Sequence, residues 1–174
     1  MNRIVALTIL LLSLFFSGLV HAAPSDTNKD DLEVFLADKG FITRVGQKAS
    51  ELVVTAMSAL GLPYRVGGSS YESGFDCSGF VKSVYEQTMG LLLPRKAEQQ
   101  AAATQKIDLH ELKPGDLVFF NTMRKAFSHV GIYVGDSKFI HSPKPGAEVR
   151  IEDMRQTYWA RRFDGARRVD GAAD

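Results

Sequence analysis

The chain has 174 residues, 24% of them charged and 45% hydrophobic, with 21 basic against 20 acidic side chains. That profile fits one ordinary globular domain with a short extension, and it leaves no basic surplus for binding nucleic acid or an anionic membrane surface. The single cysteine, Cys77, excludes an intrachain disulfide.

Asn2 and Arg3 precede an apolar run from Ile4 to Val20 that ends on the small-residue pattern Val20, His21, Ala22. Residues 1–22 therefore read as a secretory signal peptide cut before Ala23, which sends the chain to the periplasm or the medium. The alternative is an uncleaved anchor. The run falls short of the roughly 20 residues of a spanning helix, and no basic cluster follows it, so no stable membrane anchor is expected. A lipid anchor would need a cysteine just behind the run, and Cys77 lies far from it. Cleavage removes Arg3 and no acid, leaving a formally neutral chain. A mature chain of this size buries about 70% of its unfolded surface and needs no staples; a monomer is expected.

Residues 23–48 read as a polar linker and a helical lead-in, and residues 49–170 as the working domain. Helical spacing runs over 32–60, with a break at Gly40, and stops at Gly61 and Pro63. A Gly- and Ser-rich loop over 61–74 feeds a second helix that Asp76 caps, that carries Cys77 in its first turn and that Gly90 closes. A third, short helix is expected within 94–105 and a turn over 113–116. The period then changes to two, giving strands over 117–120, 130–134, 138–142, 148–152 and 159–169. Helices first and strands after define an α+β domain.

A free cysteine in an oxidising compartment is either buried filler or a working thiol. At a helix N-terminus the unpaired N–H groups and the dipole favour a thiolate, and Ser78 and Gly79 are small enough to leave the sulfur open. A base is available in the strands. Val130, Ile132 and Val134 share one face, which puts His129 on the other. With a three-residue loop over 135–137, Val134 pairs with Lys138, Ile132 with Ile140 and Gly131 with His141, and both histidines share the face of Tyr133 and Phe139. A two-residue loop would separate them, so a catalytic pairing requires an odd loop or a bulge. In that geometry His129 takes the thiol proton and His141 holds its other nitrogen. A zinc site on Cys77, His129 and His141 is the alternative chemistry, although the close ligand pairs typical of zinc are absent. The Cys77 amide and Tyr64 are candidate oxyanion donors. Arg161, Arg162, Arg167 and Arg168 read as a solvated face.

The motifs Gly61-Leu-Pro-Tyr-Arg-Val-Gly-Gly68, Asp76-Cys-Ser-Gly-Phe-Val81, Leu93-Pro-Arg95, Pro114-Gly-Asp-Leu-Val-Phe-Phe120, Ser128-His-Val-Gly-Ile-Tyr-Val134 and Phe139-Ile-His141 occur in this order. The sequence so read, from about Leu52 to Val169, resembles the NlpC family of papain-like cell-wall peptidases. The resemblance implies N-terminal helices on a five- to six-stranded antiparallel sheet, hydrolysis of peptide bonds in peptidoglycan stem peptides or cross-links, and no cofactor. It implies Cys77 as nucleophile, His129 as base, His141 as third polar residue, Tyr64 as oxyanion donor, and Asp76, Ser78 and Arg95 as substrate-binding residues. The bond is either D-Glu to diaminopimelate or D-Ala to diaminopimelate. Lys96 and Ala97 depart from the acidic residue and serine of relatives that trim free stem peptides, which argues against recognition of a free N-terminal L-Ala. An amidase or acyltransferase on the same fold, or a non-catalytic wall-binding protein, are the competing readings.

Overall fold

The helical spacing read in the sequence is realised in α1 (Gln47–Met57), where Ala49, Leu52, Val53, Ala56 and Met57 form one buried face. The computed structural model describes residues 46–170; the expected signal peptide, the linker and the first part of the 32–60 helix lie outside the described residues. After a two-strand ribbon, β1 (Ser69–Ser70) with β2 (Gly74–Phe75), comes α2 (Cys77–Met89). It starts and stops where its capping residues dictate. The Asp76 carboxylate accepts the Gly79 N–H at 2.8 Å, and Gly90 ends the helix in the left-handed region at φ 68°. The expected third helix is α3 (Ala97–Ala102).

Six strands make one antiparallel sheet: β3 (Gln105–Ile107), β4 (Leu117–Phe120), β5 (His129–Gly135), β6 (Lys138–His141), β7 (Arg150–Asp153) and β8 (Phe163–Arg168), in the order β3-β8-β4-β5-β6-β7. The expectation of an α+β fold with a five- to six-stranded antiparallel sheet holds. Two details differ. Strand β3 went unread because a three-residue polar edge strand has little pattern of its own and is defined by its partner β8. The expected strand over 159–169 is divided: Trp159 lies in a one-turn helix, α4 (Thr157–Ala160), and β8 begins at Phe163.

Alternation along the strands separates two cores. On one face Leu117, Phe119, Val130, Ile132, Val134 and Ile140 pack beneath the buried sides of α1 and α2. On the other, Val118, Phe120, Phe139, Met154 and Trp159 form a smaller cluster with Tyr133 and Phe163 beside it. This second face carries the histidines.

The β5–β6 hairpin places them there by an unexpected route. Its turn has two residues, Asp136 and Ser137, both with positive φ as primed hairpin turns require. Ile132 pairs with Ile140 and Tyr133 with Phe139 as expected, but Gly135, not Val134, faces Lys138. Val134 is thus an extra residue, and this bulge restores the parity that the short turn would have inverted.

Candidate active site

Cys77 is the first residue of α2, and its partly exposed side chain packs at the margin of the main core. The helix is seated by contacts that only glycine allows. A Cβ on Gly79 would lie 2.0 Å from the Gly68 carbonyl oxygen, so the small residue serves the approach of helix and loop rather than access to the sulfur. Asp76 does more than cap: its carboxylate accepts the Gly67 N–H at 3.0 Å and both terminal nitrogens of Arg95, at 2.9 and 2.5 Å. Arg95 also donates to the Ser78 hydroxyl at 3.1 Å. The buried Gln100 on α3 donates to the Ser78 and Pro94 carbonyls, tying α3 to the start of α2.

The expected thiolate is corrected. Burial raises the Cys77 pKa, the Asp76 carboxylate raises it further, and hydrogen bonds from the Val130, Ser78 and Cys77 backbone oppose this without overcoming it. The N-capping anion that starts the helix works against a second anion one residue away. The resting sulfur is a thiol.

His129 and His141 both lie buried on the second face, 3% and 0% exposed, with His129 Nε2 2.7 Å from His141 Nδ1. Burial, and then the neighbouring His141, hold the His129 pKa well below the ordinary imidazole value of 6.5, so its ring is neutral at pH 7. Burial lowers His141 as well, against the pull of Glu152. Gly131 lets the second strand close on this pair, because a Cβ there would meet the Ile140 carbonyl oxygen at 2.9 Å and His141 Cβ at 3.1 Å.

Three residues that the sequence reading passed over complete the arrangement. Glu152 on β7 places Oε2 3.5 Å from His141 Nε2, at the outer limit of a hydrogen bond, and that nitrogen has no closer partner among the described residues. Arg150 grips Glu152 Oε1 through Nε at 2.6 Å, and Trp159 Nε1 donates to Oε2. The Trp159 indole also stacks on His129, with ring centroids 5.6 Å apart and planes at 24°. Although burial alone would raise the Glu152 pKa, His141 and Arg150 bring it down to about 2.

Tyr64 stands in the loop between α1 and β1, fastened from two sides. Its N–H donates to the Ala147 carbonyl at 2.8 Å, while Arg65 N–H and Pro63 O bond Phe75 just ahead of α2. Burial raises its pKa, and the nearby Asp76 carboxylate, with Cys77 when that is ionised, raises it further, so it presents a neutral O–H. Tyr64, Cys77, His129, Arg150, Glu152 and Trp159 all line one cleft of about 480 Å³. A neighbouring groove of about 400 Å³ is lined by Asp76, Cys77, Ser78, Arg95, Lys96 and Lys125 among others, and meets the cleft at Cys77. Of the sequence-expected residues, Tyr64, Cys77 and His129 line the cleft, His141 lies behind His129, and Asp76, Ser78 and Arg95 line the neighbouring groove. The arginine run does something else: Arg168 pairs with buried Asp116 at 2.7 Å and Arg167 donates to the Ala101 carbonyl, so these two fasten β8 rather than forming a solvated face. For the zinc alternative, no three His, Cys, Asp or Glu side chains are grouped to hold a metal ion among the described residues. Nor is any helix among them long and apolar enough to cross a membrane.

A thiol at a helix N-terminus beside a sheet-borne imidazole, on this topology, defines the papain-like α+β class. Residues 61–168 match the NlpC/P60 family, and the chain belongs to it. It is 45% identical over 127 residues to murein DD-endopeptidase MepH of Escherichia coli, covering 71% of this chain and 47% of that protein. It is 42% identical to gamma-DL-glutamyl hydrolase of Bacillus subtilis, covering 68% of this chain and 29% of that protein. A solved NLP/P60 family structure from Staphylococcus aureus matches with a TM-score of 0.64 at 36% identity, over 71% of this chain and 41% of that one. The chain thus spans less than half the length of these two curated relatives.

Proposed function

We propose that this chain is an exported cysteine endopeptidase that hydrolyses peptide bonds in the stem peptides or cross-links of bacterial peptidoglycan. The observation that carries the reading is Cys77 at the α2 N-terminus in the same cleft as His129, whose ring His141 holds at 2.7 Å. In this reading Cys77 is the nucleophile. Because the resting thiol and imidazole are both neutral, His129 takes the thiol proton as the sulfur attacks the scissile carbonyl carbon. The charge that develops on the carbonyl oxygen is met by the Cys77 N–H and the Tyr64 O–H, donors of a kind worth about 10²–10³ each in rate. His129 passes the proton to the leaving amine, and a water that it deprotonates then cleaves the thioester and frees the thiol. Residues 49–170 form the catalytic domain; residues 1–22 are the signal peptide, removed on export.

Among the candidate bonds, the D-Ala to diaminopimelate cross-link is favoured. The relative from Escherichia coli is named a DD-endopeptidase, and the groove beside Cys77 is poorly suited to a free N-terminal ammonium. Arg95 neutralises Asp76 and Lys125 neutralises Glu98, while Lys96 is exposed there with no acidic partner among the described residues. The groove therefore carries a net positive charge that suits substrate carboxylates, with Arg95 making contact and Asp76 and Ser78 holding it. Cleavage between D-Glu and diaminopimelate is the second reading, supported by the similarity to a gamma-DL-glutamyl hydrolase.

Digestion of purified peptidoglycan by the mature protein, with mass analysis of the released muropeptides, tests the proposal. Cross-linked dimers should become monomers with the wild type and remain dimers with Cys77→Ala. Release of peptide-free glycan would make the enzyme an amidase. Equal digestion by Cys77→Ala would overturn the mechanism.

A further inference from the structure

The proposed chemistry requires one particular arrangement of protons on two neutral imidazoles. To accept the thiol proton, His129 must have a bare Nδ1, so its own proton must sit on Nε2, the nitrogen that faces His141. That proton can be donated only if His141 Nδ1 is bare, which puts the His141 proton on Nε2. The opposite arrangement satisfies the same 2.7 Å contact: His141 donates from Nδ1 to a bare His129 Nε2, and His129 then carries its proton on Nδ1, where it cannot take another. The two rings alone do not choose between these states.

Glu152 does. His141 Nε2 is buried, faces Glu152 Oε2 at 3.5 Å and has no other partner among the described residues. With a proton on Nε2, the imidazole donates toward a carboxylate; without it, a lone pair confronts an anion in a buried setting. Resting on the cysteine-peptidase reading above, we infer that Glu152 is a positioning residue that fixes the tautomers of His141 and, through it, of His129, so that His129 is poised as a base. Glu152 is held for this task from two sides, by the Arg150 guanidinium on Oε1 and the Trp159 indole N–H on Oε2. The indole that orients the carboxylate also covers the His129 ring, so one side chain aligns both ends of the chain of hydrogen bonds. The charged groups facing His141 are Glu152 and Arg150, both from β7, and the neighbouring ring of His129 from β5. Glu152 itself touches no reacting atom in this scheme.

The test compares Glu152→Ala, Glu152→Gln and wild type by long-range ¹H–¹⁵N spectra of the histidine rings at pH 7.5 and by steady-state hydrolysis of a purified cross-linked muropeptide. Wild type should show both His129 and His141 protonated on Nε2. Glu152→Ala should shift both rings toward the Nδ1–H form and lower kcat about 100-fold with KM unchanged, as expected when a base is held in the wrong tautomer. Glu152→Gln keeps an oxygen for Trp159 and His141 but loses the Arg150 pair, so it should retain the wild-type tautomers and recover most of kcat. It also answers the question if the alanine variant does not fold. Unchanged tautomers in Glu152→Ala, or a loss of kcat without a tautomer shift, would overturn the assignment. The spectra need no turnover, so a wild-type protein that failed to cut the muropeptide would sink the peptidase reading while the tautomer result still decided the role of Glu152.

Discussion

The two halves of the cleft are built in opposite ways. Cys77 is placed by its immediate neighbours: Asp76 caps its helix, Gly79 lets that helix meet the preceding loop, and Arg95 closes the cap from the next segment. His129 is placed by residues from separate elements, by His141 on β6, Glu152 on β7 and Trp159 on α4. One half is a local backbone motif and the other a product of strand register. A local motif fails as a unit when its backbone is disturbed, whereas a register-built site can lose alignment while the fold persists.

The comparison sharpens most under removal of the reacting groups. If the halves form one machine, Cys77→Ala and His129→Ala should each lower kcat/KM by about 10⁴ or more, and the double variant should be no worse than the more damaged single one. Additive losses, read from muropeptide kinetics, would mean the halves act separately. Stability should separate them next. Gly79→Ala forces a Cβ to 2.0 Å from the Gly68 carbonyl oxygen, a backbone contact that no rotamer relieves, and should cost about 2–3 kcal/mol in denaturant unfolding. Gly131→Ala meets the Phe139 ring edge at 2.6 Å, the Ile140 carbonyl oxygen at 2.9 Å and His141 Cβ at 3.1 Å, a crowding shared between side chain and backbone, so it should cost about 1–3 kcal/mol but lower kcat disproportionately.

The smallest effects are those of pH. Both histidines have folded-state pKa values below 6.5, so as pH falls the unfolded chain takes up protons first. The stability they contribute is complete above about pH 6.5 and is lost as pH drops toward their folded values. Glu152, at about 2, extends the loss through the window below its ordinary 4.5. Thermal scans from pH 7.5 to 3 should show the midpoint falling first across the histidine window, and His141→Asn should flatten that part. On the other side of the cleft, alkylation of Cys77 by iodoacetamide should rise with a midpoint above 9. A midpoint near 4 would show a thiolate already formed at rest.

What the sequence disclosed follows the same division. The α2 boundaries, its Asp76 cap and the position of Cys77 were legible because contiguous residues determine them. The shared face of His129 and His141 was legible from alternation, together with the requirement for an odd loop or a bulge; which of the two applies depends on the positive φ angles of Asp136 and Ser137. Glu152, Arg150 and Trp159 were not legible. Their roles depend on β7 lying beside β6, a neighbour relation that no local pattern encodes, and a glutamate on a half-buried edge strand reads as ordinary surface. The depressed acidity of Cys77 was hidden for a related reason. The dipole that favours a thiolate was visible, while the burial that outweighs it comes from tertiary packing.

The bulge at Val134 carries a consequence for how this hairpin can change by mutation. Surface turns ordinarily accept inserted or deleted residues one at a time. Here the odd residue is taken up by a bulge rather than by pairing, so removing Val134 would leave the same two-residue turn with Tyr133 still opposite Phe139 and Ile132 opposite Ile140, and both histidines on one face. The hairpin can therefore be shortened by one residue at the bulge without moving His129 away from His141, whereas the same deletion inside β5 would turn one histidine to the opposite face.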